Sequence, residues 1–151
     1  MTTTVDVDSI SQLRGSLLRI SRRIDRQVSA GGLTSTETAV LGTIATRGPL
    51  GLGELASYEG VNRTMLSRVI GKLEAAELIR RQSSITDRRA IQVVVTRKGA
   101  RLRERLIAAR DHLLTERLDE LTPETVAALF EAIPALEALA EVLEPRPKLP
   151  L

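Results

Sequence analysis

Tyr58 and Phe130 are the only aromatic side chains in 151 residues, so any core this chain builds is made of Leu, Ile, Val and Ala. Such side chains suit helices packed on helices, and six prolines with few β-branched runs argue against an all-β fold. The length fits one domain that closes its own core. A composition of 42% hydrophobic and 27% charged residues is that of an ordinary folded protein. The absence of cysteine excludes disulfide scaffolds, thiolate metal sites, thiol nucleophiles and cysteine-based redox sensing. No apolar run approaches the roughly 18 residues that cross a bilayer. The start MTTTVDVDS lacks the positive-then-apolar pattern of a signal peptide, so no membrane partner and a cytoplasmic location are expected. A net charge of +3 suits a polyanionic partner only if the cations gather on one surface.

Apolar spacing organises the chain. After a flexible lead over 1–8, Ile10, Leu13, Leu17, Ile20 and Ile24 form the coiled-coil-like seam of a first helix. Its other faces carry Arg14, Arg19, Arg22, Arg23 and Arg26, and Gly31-Gly32 ends it. Thr34-x-x-Glu37 reads as a capping box that opens a second helix with the stripe Val40, Leu41, Ile44, closed by Gly48-Pro49. A short third helix over about 53–58 turns Leu55 and Ala56 inward, and Glu59-Gly60 makes the turn. The fourth helix is N-capped by Asn62 and runs to about Glu77. The period then changes: 78–82 and 91–96 are β-type runs around the polar loop SSITDRRA, a two-stranded hairpin with a charged tip. Thr96 caps a long helix with Leu102, Leu106, Leu113 and Leu118 inside. Thr122-Pro123-Glu124 starts a last helix, with the stripe Val126, Leu129, Phe130, Ile133, Leu136 and Leu143, which Pro134 should bend. The expected fold is mainly α with a small β-hairpin wing.

The fourth helix has two unlike sides. Leu66, Val69, Ile70 and Leu73 fall on one, while Thr64, Ser67, Arg68, Gly71 and Lys72 fall on the other. The second side holds small hydroxyls, a glycine and cations, with no acid. Small groups let a helix sink into a major groove roughly 12 Å wide, while Arg and Lys reach base edges or phosphates. Arg63 in the first turn adds positive potential at the helix N-terminus. Arg88 and Arg89 stand at the hairpin tip, where a guanidinium can enter a minor groove. Asp87 beside them braces an arginine through a charge-assisted hydrogen bond.

These residues carry a family resemblance. LGELA in the third helix, VNRTMLSRVIGKLE in the fourth, Asp87-Arg88-Arg89 at the tip and the exit Thr96-Arg97-Lys98-Gly99 resemble, in order and spacing, the core of MarR-type winged helix-turn-helix regulators. With the flanking helices the resemblance covers about residues 9–144. It implies a single domain over 1–151, with a DNA-binding lobe at 33–98, dimerisation helices at 9–31 and 99–144, and a flexible tail at 145–151. The recognition helices of a homodimer then occupy successive major grooves of double-stranded DNA. By the same resemblance Asn62, Arg63, Thr64, Ser67, Arg68 and Lys72 serve the major groove and backbone, and Arg89, supported by Asp87 and flanked by Arg88, serves the minor groove. Three positions depart from the pattern. Gly51 stands where Ser or Thr often caps the third helix, Gly71 where a charged residue is common, and Pro134 in the last helix.

The resemblance further implies a repressor on a pseudo-palindromic operator, released by a small aromatic or phenolic inducer bound between the dimer helices and the DNA-reading lobe. Two aromatic residues make an aromatic-lined pocket hard to build. A winged-helix protein-interaction module, or an activator without a small-molecule inducer, are the alternatives. The first-helix arginines, and Arg101, Arg103 and Arg105 near Glu104, suit solvated or ion-paired surfaces. His112 lacks the converging partners of a metal site. Gly51-x-Gly53-x-x-Ala56 matches a dinucleotide fingerprint only formally, since no strand-helix-strand unit surrounds it. No nucleophile elbow or phosphate-binding loop is present, and neither an enzyme nor a cofactor is expected.

Overall fold

The computed structural model describes residues 6–28 and 32–143. Asp6 opens α1 (Val7–Gln27) by accepting the Ser9 N–H at 3.1 Å, so the helix begins inside the expected flexible lead. Val28 closes it, donating its N–H to the Ile24 carbonyl. This end precedes the expected Gly31-Gly32 stop, and residues 29–31 lie outside the described ones. The capping box of α2 (Ser35–Arg47) is formed: the Glu37 N–H donates to Thr34 Oγ1 and the Thr34 N–H to Glu37 Oε2. At the far end a Cβ on Gly48 would lie 2.4 Å from the Ile44 carbonyl oxygen, so glycine permits this close exit.

The chain continues through β1 (Leu50–Gly51), α3 (Leu52–Glu59) and α4 (Arg63–Ala75), with Gly60 left-handed at φ 62° between the helices. Strands β2 (Ile79–Ser83) and β3 (Ile91–Val95) follow, then α5 (Arg97–Leu118), α6 (Pro123–Glu131) and α7 (Ile133–Leu143). The sheet is antiparallel in the order β1-β3-β2, pairing Leu50 with Val93 and Ile79 with Val95. This corrects the two-stranded expectation, because β1 is too short to show any alternation. α4 stops at Ala75, two residues before the expected end, and Glu77 takes φ 60° to turn the chain into β2. The expected bend at Pro134 divides the last helix into α6 and α7: lacking an N–H, proline cannot bond back to the turn before it. Residues 144–151, including the expected tail, lie outside the described ones.

One aliphatic cluster joins Val40, Leu41 and Ile44 of α2, Leu55 of α3, Leu66, Val69, Ile70 and Leu73 of α4, Val93 of β3, and Leu102 and Leu106 of α5. In contrast, α1, α6 and α7 bury no residue in the single chain. Ile10, Leu13, Leu17 and Ile20 on α1, and Leu129, Phe130, Ile133 and Leu136 on α6 and α7, are exposed.

Candidate nucleic-acid interface

The DNA-facing candidate surface starts with how α4 is held. Asn62 Oδ1 accepts the Met65 N–H at 2.8 Å, satisfying a donor that the first turn would otherwise leave open. The side Leu66, Val69, Ile70, Leu73 is buried, and Thr64, Ser67, Arg68, Gly71 and Lys72 are exposed on the other, as are Asn62 and Arg63. No atom lies within 4 Å of where a Cβ on Gly71 would stand, so that glycine leaves a shallow patch on the exposed side. The neighbouring helices are tied by side chains: Thr43 of α2 donates to Glu59 Oε1 of α3 at 2.5 Å, and Lys72 Nζ of α4 donates to Glu37 Oε1 of α2 at 2.9 Å. The Lys72 bond, with the Thr34 N–H second, holds the Glu37 carboxyl below the ordinary glutamate range against the opposing effect of burial.

The wing is built on Ser84, a buried residue between two exposed ones. Its Oγ accepts the N–H of Thr86 and shares a hydrogen bond with the Thr86 hydroxyl, while its N–H donates to the Ala90 carbonyl at 2.8 Å. Asp87 Oδ1 accepts the backbone N–H of Arg89 at 2.9 Å. Asp87 thus holds the backbone of Arg89 and not, as expected, an arginine side chain through a charge-assisted bond, and both guanidinium groups of Arg88 and Arg89 are exposed. The stem is fixed to the helices: Arg81 Nε donates to Glu74 Oε2 of α4 at 3.2 Å, and Thr96 Oγ1 donates to the Glu77 carbonyl at 2.6 Å while capping α5.

Two clefts lie beside α1. One of about 580 Å³ is lined by Leu17, Ile20, Ile24, Leu41, Arg103 and Arg110. Its neighbour of about 480 Å³ is lined by Arg22, Asp25, Arg26, Thr38 and Arg110, with Arg110 paired to Asp25 at 3.2 Å. Neither ring lines them, and Tyr58 lies 4.7 Å beneath the Arg47 guanidinium. Glu104 pairs with none of Arg101, Arg103 and Arg105 among the described residues, so the ion-paired alternative is corrected for these three. His112 is exposed, and no group of three metal-ligating residues exists among the described residues. The glycines at 51 and 53 flank the start of α3 after an antiparallel two-residue strand, so no dinucleotide fold surrounds them.

The MarR family model matches residues 33–91, a segment that runs from the α2 cap to the start of β3 and holds every candidate contact above. A helix-turn-helix transcriptional regulator of Mycobacterium bovis is 28% identical over 136 residues, covering 90% of this chain and 95% of its own length. A transcriptional regulator of Pseudomonas aeruginosa has a crystal structure similar to this fold at a TM-score of 0.79 and 26% identity, covering 91% of this chain and 97% of that one.

The helix-turn-helix segment of the chain, residues 33–91, is similar to the MarR family. The matched relatives of Mycobacterium bovis and Pseudomonas aeruginosa are both described as transcriptional regulators. FabT of Streptococcus pneumoniae, solved in complex with DNA, shares the MarR-type fold at a TM-score of 0.68 and 17% identity, covering 92% of this chain and 100% of that one. No helix among the described residues is long and apolar enough to cross a membrane.

Within the matched segment the fold brings Arg63, Thr64, Ser67 and Arg68 to one exposed helix side and sets Arg88 and Arg89 on a separate projection. Lys72 shares that side, yet its ammonium is engaged by Glu37. Glu37 and Ser84 shape the site without a sequence signal for that role. Glu37 reads as half of a capping box, and its second oxygen meets a residue 35 positions away that no local pattern reveals. Ser84 reads as one polar loop residue among several, and only its burial separates it.

Proposed function

We propose that the protein is a homodimeric repressor that occupies a pseudo-palindromic operator in the cytoplasm and leaves it when a small aromatic or phenolic acid binds. The observation that carries the DNA reading is the division of α4. Its apolar side is wholly consumed by the core, so Arg63, Thr64, Ser67 and Arg68 are presented outward with Arg89 and Arg88 on a braced wing. Asn62 caps the helix through Oδ1, which leaves its amide N–H groups to donate to a phosphate. In this reading residues 33–98 form the DNA-binding lobe, and 9–31 with 99–144 supply dimerisation. The unburied apolar residues of α1, α6 and α7 support such a dimer, because large exposed apolar surface of this kind marks an interaction site. The cleft between α1, α2 and α5 suits the inducer: aliphatic walls for a ring, with Arg103 for its carboxylate beside the Arg110–Asp25 pair. A ligand there touches both the dimer helices and the DNA-reading lobe, and by linkage must weaken DNA binding if it favours a different lobe spacing.

The test titrates purified protein against duplex from upstream of its own gene, and against scrambled duplex, at several salt concentrations. Specific binding with a steep negative dependence on salt is expected. Binding to neither duplex would leave a protein-interaction module, and equal affinity for both would contradict a sequence-specific repressor.

A further inference from the structure

Glu37 is 4% exposed and is the only buried charged residue among the described ones. A carboxylate is held in such a place only when its oxygens are engaged. Oε2 takes the Thr34 N–H and Oε1 takes Lys72 Nζ, each at 2.9 Å. Lys72 comes from the exposed side of α4, one turn after Arg68, and 68% of its side chain remains exposed. Everything else α2 and α4 bring to their common core is aliphatic, so this ion pair is a polar tie between the two helices with a defined partner atom at each end. At the 5–6 Å radius of a helix surface, a rotation of about 10° moves a side chain by about 1 Å, enough to spoil hydrogen bonds to base edges.

We propose that Glu37 and Lys72 are positioning residues for base selection: their ion pair fixes the rotation of α4, and Lys72 acts without touching DNA. This rests on the reading that α4 enters the major groove. It departs from the family resemblance by withdrawing Lys72 from the DNA contacts and adding Glu37, which lies behind the reading surface. Lys72 thereby serves specificity, while affinity for any duplex comes from Arg63, Arg68 and the wing.

The full chain carrying Lys72→Met, or Glu37→Gln together with Lys72→Met, is titrated with the upstream and scrambled duplexes at several salt concentrations, and each variant is melted thermally. The double variant removes both charges, while glutamine keeps an acceptor for Thr34, so it is expected to melt close to the wild type. Its preference for the upstream duplex falls about tenfold, comparable to one mismatched base pair. Affinity for scrambled duplex and the slope of log K against log salt stay at wild-type values in both variants. A slope reduced by about one in Lys72→Met would mean that Lys72 neutralises a phosphate, and the proposal would fall. It falls equally if the folded double variant keeps full preference, or if both variants melt far below the wild type, which would make the pair a stability element. A wild-type protein indifferent to its upstream duplex overturns the major-groove reading itself, and this inference with it.

Discussion

Arg89 has its peptide N–H bonded to Asp87 and its guanidinium exposed, so the brace restrains the backbone and leaves the charge available. Replacing it with Ala removes a cation and no packing. Operator affinity should fall about tenfold and the salt slope by about one, with the dimer mass unchanged in sedimentation; an unaltered affinity would remove the wing from the interface. Glu37 gives a pH prediction. Its folded pKa lies below the unfolded one, so the stability it contributes is complete above the ordinary glutamate value near 4.5 and is lost as pH falls through the folded value. In urea titrations the wild type should exceed Glu37→Gln at neutral pH, and the gap should close in acid. Individual residues were legible wherever their job is local. The cap at Asn62 and the paired tip arginines stand in the linear order, whereas the partner of Lys72 does not.

Helices were legible from caps and apolar spacing, because both signals lie within a few residues of what they specify. The capping box of α2 and the threonine cap of α5 formed as read. β1 escaped notice because its two residues pair with a strand some forty positions later, and pairing across that distance leaves no periodic trace. The first turn of α5 seats closely on the entry to β2, where a Cβ on Gly99 would fall 2.0 Å from the Leu78 carbonyl oxygen. Because that obstacle is backbone, Gly99→Ala must push helix and strand apart. A loss of about 3 kcal/mol is expected in urea unfolding, at the upper end of overpacking effects. A fully stable variant would show that this junction has slack.

For the molecule as a whole, the division between a closed core and three unburied helices is the dominant feature. It was legible as apolar stripes, but spacing alone does not tell a stripe that faces the chain's own core from one that faces a second copy. Ile20, exposed on α1, separates the two. Ile20→Glu should leave the monomer's helical content intact while shifting sedimentation towards the monomer and abolishing operator binding; a stable dimer would displace α1 from the interface. The placement of α4 and the wing on DNA is tested most directly by dimethyl sulfate footprinting, which methylates guanine N7 in the major groove and adenine N3 in the minor groove. The wild type should protect N7 positions in two successive major grooves and N3 positions just outside them, and Arg89→Ala should lose the N3 protection alone. N7 positions left unprotected by saturating protein would contradict the account.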